Sequence, residues 1–169
     1  ITVPGAAFGS NGAKHVRIDS LTFKTTSTTA AWGAWITGQS VFDTLSNCTF
    51  DLTSVSSSSS TNINGIVLST SRTSATTGSA TAPAGTNIVI EGNKILGNTN
   101  SYGNYYGITL TTGVDRVTIK DNEIAHYYNT AIYSTAAINT WIVGNNIHRT
   151  GRTAYPAAAN YGIYLLNGD

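Results

Sequence analysis

A chain of 169 residues is long enough to bury a core of its own. Its charged residues, only 10% of the total with a formal net charge of +1, exclude the clustered Lys and Arg with which proteins capture nucleic acid or anionic membranes. Cys48 is the only cysteine, which excludes an intrachain disulfide, and no run reaches the roughly 18 apolar residues of a membrane span.

Residues 1–15 read as a Gly/Ala-rich lead-in, without an amphipathic helix and without the basic and apolar regions of a signal peptide. From residue 16 to 169 one template recurs: apolar, any, apolar, two small or polar residues, Asn, any, apolar. Two looser copies come first, Val16-Ile18-Leu21-Phe23 and Asp43-Leu45-Cys48-Phe50, with Leu and Cys in the Asn place. Three stricter copies follow, Ile88-Ile90-Asn93-Ile95, Val117-Ile119-Asn122-Ile124 and Thr140-Ile142-Asn145-Ile147. After each copy comes a second short apolar segment, centred on Ile36, Ile66, Ile108, Ile132 and Ile163. The central residues of successive copies are 27, 45, 29 and 23 positions apart, and the step of 45 is accounted for by low-complexity stretches at Ser56–Thr61 and 69–86. The stretch 69–86, rich in Ser, Thr, Ala and Gly, is expected to be a flexible excursion from one corner, removable at little cost.

Repetition at a few tens of residues announces a solenoid. The V-x-I alternation has period two and the segments are short and β-branched, so the rungs are strands rather than helices. The expected fold is all-β, a right-handed parallel β-helix of about five rungs. Stacking should place Ile18, Leu45, Ile90, Ile119 and Ile142 in one interior column and Ile36, Ile66, Ile108, Ile132 and Ile163 in another. Asn93, Asn122 and Asn145 should form a structural ladder at a corner, where Asn tolerates a left-handed backbone and its amide bonds the rungs above and below. Cys48, in the same place, reads as a small inert core residue.

The V-x-I-x-x-N-x-I rung followed by G-I-x-L resembles the right-handed parallel β-helix repeat of the pectate-lyase-like superfamily over about Val16 to Leu166. That resemblance implies the fold more than an activity, because the superfamily spans polysaccharide lyases and hydrolases, phage tailspikes and secreted surface proteins. The Asn-Thr-Asp, Asp-Asp, Gly-His-Gly and Arg-Ile-Lys motifs of its polygalacturonase-like members do not occur in this sequence, and its eight acidic residues are dispersed rather than clustered like calcium ligands.

Two sets of residues are candidates for function. Glu91, Asp121, Glu123, His126 and Arg149 lie close in repeat space and would serve a polysaccharide lyase or glycoside hydrolase if two carboxyls converged in a groove. Lys94 and Glu123 share a template position and so should form a surface ion pair, while His126 and Arg149 share a column. All nine tyrosines fall between Tyr102 and Tyr164, and Tyr106, Tyr133, Tyr161 and Tyr164 should line one outer face, where they could stack on sugars or on each other. The outward column Arg17, Thr44, Val89, Thr118, Trp141 is too irregular for an ice-binding array. The leading expectation is a secreted or cell-surface module, without cofactor or metal, for adhesion, glycan binding or extracellular assembly. Its partners would be a glycan, another surface protein or copies of itself end to end, and the chain is expected to be part of a longer polypeptide or a unit covered by its own copies.

Overall fold

Each template copy forms two short strands with a tight corner between them, and the apolar segment after it forms a third. The computed structural model describes residues 6–56, 63–153 and 160–167, and every regular element among them is a β-strand. The remaining residues, among them most of the Ser56–Thr61 stretch, lie outside the described residues.

Sheet 1 collects β2 (Arg17–Asp19), β6 (Thr44–Ser46), β9 (Gly85–Glu91), β12 (Asp115–Lys120) and β15 (Trp141–Val143), with the two-residue β5 (Ser40–Val41) also paired to β9. Sheet 2 collects β3 (Thr22–Lys24), β7 (Thr49–Asp51), β10 (Lys94–Leu96), β13 (Glu123–Ala125) and β16 (Asn146–His148). Sheet 3 collects β1 (Ala6–Asn11), β4 (Ala31–Thr37), β8 (Ile63–Leu68), β11 (Tyr106–Leu110), β14 (Thr130–Thr135) and β17 (Tyr161–Leu166). All pairings are parallel, and the chain visits sheets 1, 2 and 3 in turn five times after β1. Stacked parallel sheets of this kind are a β-solenoid. β1 lies within the lead-in and pairs with β4, so sheet 3 begins ahead of the first template copy.

The core consists of columns of like side chains. Ile18, Leu45, Ile90, Ile119 and Ile142 are in register from rung to rung. So are Phe23, Phe50, Ile95, Ile124 and Ile147, with the two Phe rings stacked at 5.2 Å. In sheet 3 the expected register is off by two residues in one rung: Ala34, not Ile36, is level with Ile66, Ile108, Ile132 and Ile163, and Ile36 is level with Leu68. Volume explains the exchange, because Phe8 sits beside Ala34 in that column and fills the space a larger residue would need.

Entry into sheet 3 is set by glycine. Gly33, Gly65 and Gly107 stack beneath the sheet 2 column, and a Cβ on Gly107 would stand 2.5 Å from both Ile124 Cγ2 and the Ala131 carbonyl oxygen. No side chain fits at these three rungs, where the backbone itself closes the core, whereas Ala131 stands at the same level in the next rung.

The stretch 69–86 is not a free excursion. It folds back over the outer face of sheet 3, where Ala75 is buried against Trp32 and Val67. Trp35 Nε1 donates to the Ser69 carbonyl at 2.9 Å, Arg72 lies 5.3 Å over the Trp35 ring, and the Ser69 hydroxyl bonds the carbonyls of Ser74 and Thr77. Ala84, near its end, is part of the main core. The packing has a plain cause: small residues can lie flat on a sheet, and two tryptophans beneath them supply apolar surface to cover.

Candidate functional site

The corner between sheets 1 and 2 is built by hydrogen bonds that repeat from rung to rung. Asn122 Oδ1 accepts from the Asn93 N–H at 2.9 Å and from Asn93 Nδ2 at 3.0 Å, and Asn122 Nδ2 donates to the Ile90 carbonyl at 2.9 Å. Asn145 Oδ1 does the same for Asn122, and Asn93 Oδ1 accepts from the Cys48 N–H. The left-handed backbone at this corner falls one residue earlier than expected, on Ser20, Asn47, Gly92, Asp121 and Gly144, with φ between 53° and 66°. The ladder asparagines are there for their amides, which satisfy buried backbone groups. Cys48 is buried at the same level, and its thiol donates to the Ser46 carbonyl at 3.2 Å.

The five candidate catalytic residues are spread around the coil. Glu91 ends β9 on sheet 1 and is held by Lys120 at 2.8 Å. Asp121 sits at the corner in a left-handed conformation with φ 56°. Glu123 opens β13 on sheet 2, where it meets Lys94 at 3.5 Å and His148 at 3.3 Å. His126 packs edge-on to His148 at 5.7 Å, and burial, then His148 and Arg152, lower its pKa from the ordinary value. Arg149 folds back, donating to the Tyr128 carbonyl at 3.2 Å with its guanidinium 5.2 Å over Tyr127. Glu91 and Glu123 thus engage cations on two different faces. Among the described residues no group of three His, Cys, Asp or Glu side chains is placed to hold a metal ion.

The tyrosines form a stack along the outer face of sheet 3. Tyr106 and Tyr133 are 4.5 Å apart and nearly parallel, Tyr133 and Tyr164 are 5.8 Å apart and nearly parallel, and Tyr161 leans on Tyr164 at 4.7 Å. Tyr106 is buried, and burial pushes its phenol well above the ordinary value, as it does more mildly for Tyr133. In this stack the ring faces of Tyr106 and Tyr133 cover each other, and Tyr164 covers another face of Tyr133. A second cluster joins Tyr102, Tyr105 and Tyr128, with buried Arg152 5.2 Å over Tyr128 and bonding the carbonyls of Asn98, Ser101, Tyr102 and His126. Tyr155 lies outside the described residues.

A concave feature that belongs to neither candidate set lies on the outer face of sheet 1. It is a groove of about 480 Å³ lined by Phe42, Asn87, Val89, Arg116, Thr118, Asn139, Thr140 and Trp141, within the range of roughly 300–1,000 Å³ for small-ligand sites. Val89 and Thr118 are level with each other, and Trp141 is level with Thr118, so the outward column of the V-x-I strands makes one wall. The other wall is Phe42, Asn87, Arg116 and Asn139, which continue a corner column begun by His15, one residue ahead of each template copy and all left-handed, with φ between 50° and 59°. Trp141 is 72% exposed and Phe42 52% exposed. Between these two rings the polar side chains are tied in a row: Asn139 Nδ2 donates to Asp115 at 2.8 Å, Asp115 holds Arg116 at 2.8 Å, and Arg116 Nε donates to Asn87 Oδ1 at 3.1 Å. Asn87 Nδ2 and Asn139 Oδ1 have no partner among the described residues. One signal for this wall was present in the sequence, since Asn and His ahead of a β-branched strand favour the left-handed region. Phe42 and Arg116 gave none.

Comparison with known families, with curated proteins and with solved structures finds no match to this chain. Fold and site therefore define its class by themselves: an all-β parallel solenoid, stabilised by an asparagine ladder, with an aromatic and amide-lined groove on one face.

Proposed function

We propose that this chain is a glycan-binding module of a secreted or cell-surface protein, coiled as a right-handed parallel β-helix of the pectate-lyase-like kind. Right-handed crossovers are the rule for parallel strands joined within one sheet, which supports the hand. The carrying observation is the groove on sheet 1, where the face of Trp141 stands open to solvent across from Phe42, with pre-aligned amides between them. A pyranose ring is apolar on its C–H faces and polar around its rim. An exposed indole accommodates the first, and Asn87, Asn139, Thr118 and the Arg116 fork accommodate the second. A chain with 10% charged residues and a lone, buried thiol suits the extracellular setting. The geometry favours binding over turnover, because Glu91 and Glu123 are each neutralised by a cation and belong to different sheets.

The test is titration with a panel of oligosaccharides read by tryptophan fluorescence, since Trp32 is buried and Trp35 is tied to the loop over it. Binding should perturb the Trp141 signal, and Trp141→Ala should weaken it at least roughly tenfold with an unchanged melting curve. A panel without a binder, or a Trp141→Ala protein that binds as well as the wild type, refutes the proposal.

A further inference from the structure

The sheet 1 groove does not end at Phe42. A cavity of about 390 Å³ lined by Lys14, Val41, Pro83 and Thr86 adjoins it, for Val41 and Thr86 are the residues immediately before Phe42 and Asn87. A third, of about 340 Å³, with Trp35, Thr70 and Arg72 in its walls, shares Gly38 and Gln39 with the second. The three follow one another around the corner from the outer face of sheet 1 to that of sheet 3, where the stretch 69–86 crosses.

Charge divides this path. Of the nine Lys and Arg residues, Arg17, Lys24, Lys94, Arg116 and Lys120 each lie within 4.0 Å of a carboxylate. Arg149 and Arg152 bond backbone carbonyls. Lys14 and Arg72 have neither a carboxylate nor a carbonyl bonded to their side chains among the described residues, and they line the second and third cavities. Arg72 is also held in place by the Trp35 face beneath it at 5.3 Å, which leaves its planar edge for hydrogen bonding. The Trp141 end is electrically balanced by the Asp115–Arg116 pair, and the Lys14–Arg72 end is not.

We infer that the ligand is an extended oligosaccharide whose neutral portion lies between Trp141 and Phe42 and whose anionic substituent, a carboxylate or a sulfate, is taken by Lys14 and Arg72. This rests on the glycan-binding reading of the sheet 1 groove and adds the length and charge of what binds there. Two charge-assisted contacts at a solvated site should favour the acidic oligomer by roughly tenfold at low salt.

The experiment is calorimetric titration of the chain with a disaccharide, a neutral hexasaccharide, and hexasaccharides of the same backbone bearing either a uronate carboxylate or a sulfate. Wild-type protein should bind the hexamers more tightly than the disaccharide, and one acidic form roughly tenfold more tightly than the neutral one. Lys14→Gln with Arg72→Gln should abolish that acidic preference, as should about 0.5 M salt, while leaving neutral affinity unchanged. Which acidic hexamer gains identifies the anion. Equal affinity for neutral and acidic hexamers, or an acidic preference that survives the double substitution, overturns this inference alone. Failure of every oligomer to bind, or full binding by Trp141→Ala, overturns the underlying reading as well.

Discussion

Truncating Asn122 to Ala removes the middle rung of the asparagine ladder and leaves the apolar columns untouched. The Asn93 N–H has Asn122 Oδ1 as its acceptor, so it is orphaned in a fully buried position. The Ile90 carbonyl loses the donor at 2.9 Å, and the side-chain amides of Asn93 and Asn145 each lose one of their bonds. One orphaned buried donor at roughly 1–3 kcal/mol and three lost bonds at roughly 0.5–1 kcal/mol each give a loss of about 2.5–6 kcal/mol. Cys48→Ala, in the same column, removes only a thiol contact and should cost about 1 kcal/mol. Urea unfolding followed by circular dichroism measures both. A loss below about 1 kcal/mol for Asn122→Ala would show that the ladder does not satisfy the corner in the way these bonds imply.

Gly107→Ala should cost more than an ordinary overpacking change, above about 3 kcal/mol, since the new methyl meets backbone as well as Ile124; thermal melting checks it, and an unaltered midpoint would displace Gly107 from the corner. Replacing 69–83 by a short linker should destabilise the chain by about 2–4 kcal/mol, because it uncovers Trp32 and Val67, and the deletion variant should bind an apolar dye that the parent does not. Acid should weaken the fold through His126. Its folded pKa lies below the ordinary 6.5, so the unfolded chain takes up the proton first; its contribution is full above about pH 7 and is lost as pH falls through 6.5 toward the folded value. His126→Gln should therefore show a shallower fall in melting temperature from about pH 7.5 to 5.5, and identical slopes would remove His126 from the account.

The interior was legible because its chemistry repeats. Wherever one face of a strand must be apolar, V-x-I gives the register directly, and Ile18 to Ile142 fell into line. The misplacement of Ile36 shows the limit: a column tolerates Ala34 when Phe8 stands beside it, and pairwise compensation of volume leaves no periodic trace. The same holds for the stretch 69–86, whose composition says nothing about the tryptophans it covers. The groove residues were harder to read for a related reason. Trp141, Phe42 and Arg116 face outward, where the fold sets no requirement on residue type, so the repeat gives Trp141 its outward place and marks none of the three as part of a groove. The groove exists because separate rungs bring them together, and only the stacked backbone supplies that.

The left-handed corner column has a cost that the protein keeps. A non-glycine residue there is strained by about 1 kcal/mol, and glycine would relieve it. Five successive rungs nevertheless carry His15, Phe42, Asn87, Arg116 and Asn139. Exchanging Phe42 or Arg116 for glycine would ease the backbone and erase the groove wall in the same stroke, so along this edge robustness and recognition pull in opposite directions. The solenoid can sustain that conflict because its strength is lodged elsewhere, in the ladder and the inner columns. One edge of the coil is thereby left free to vary its side chains rung by rung without disturbing the interior.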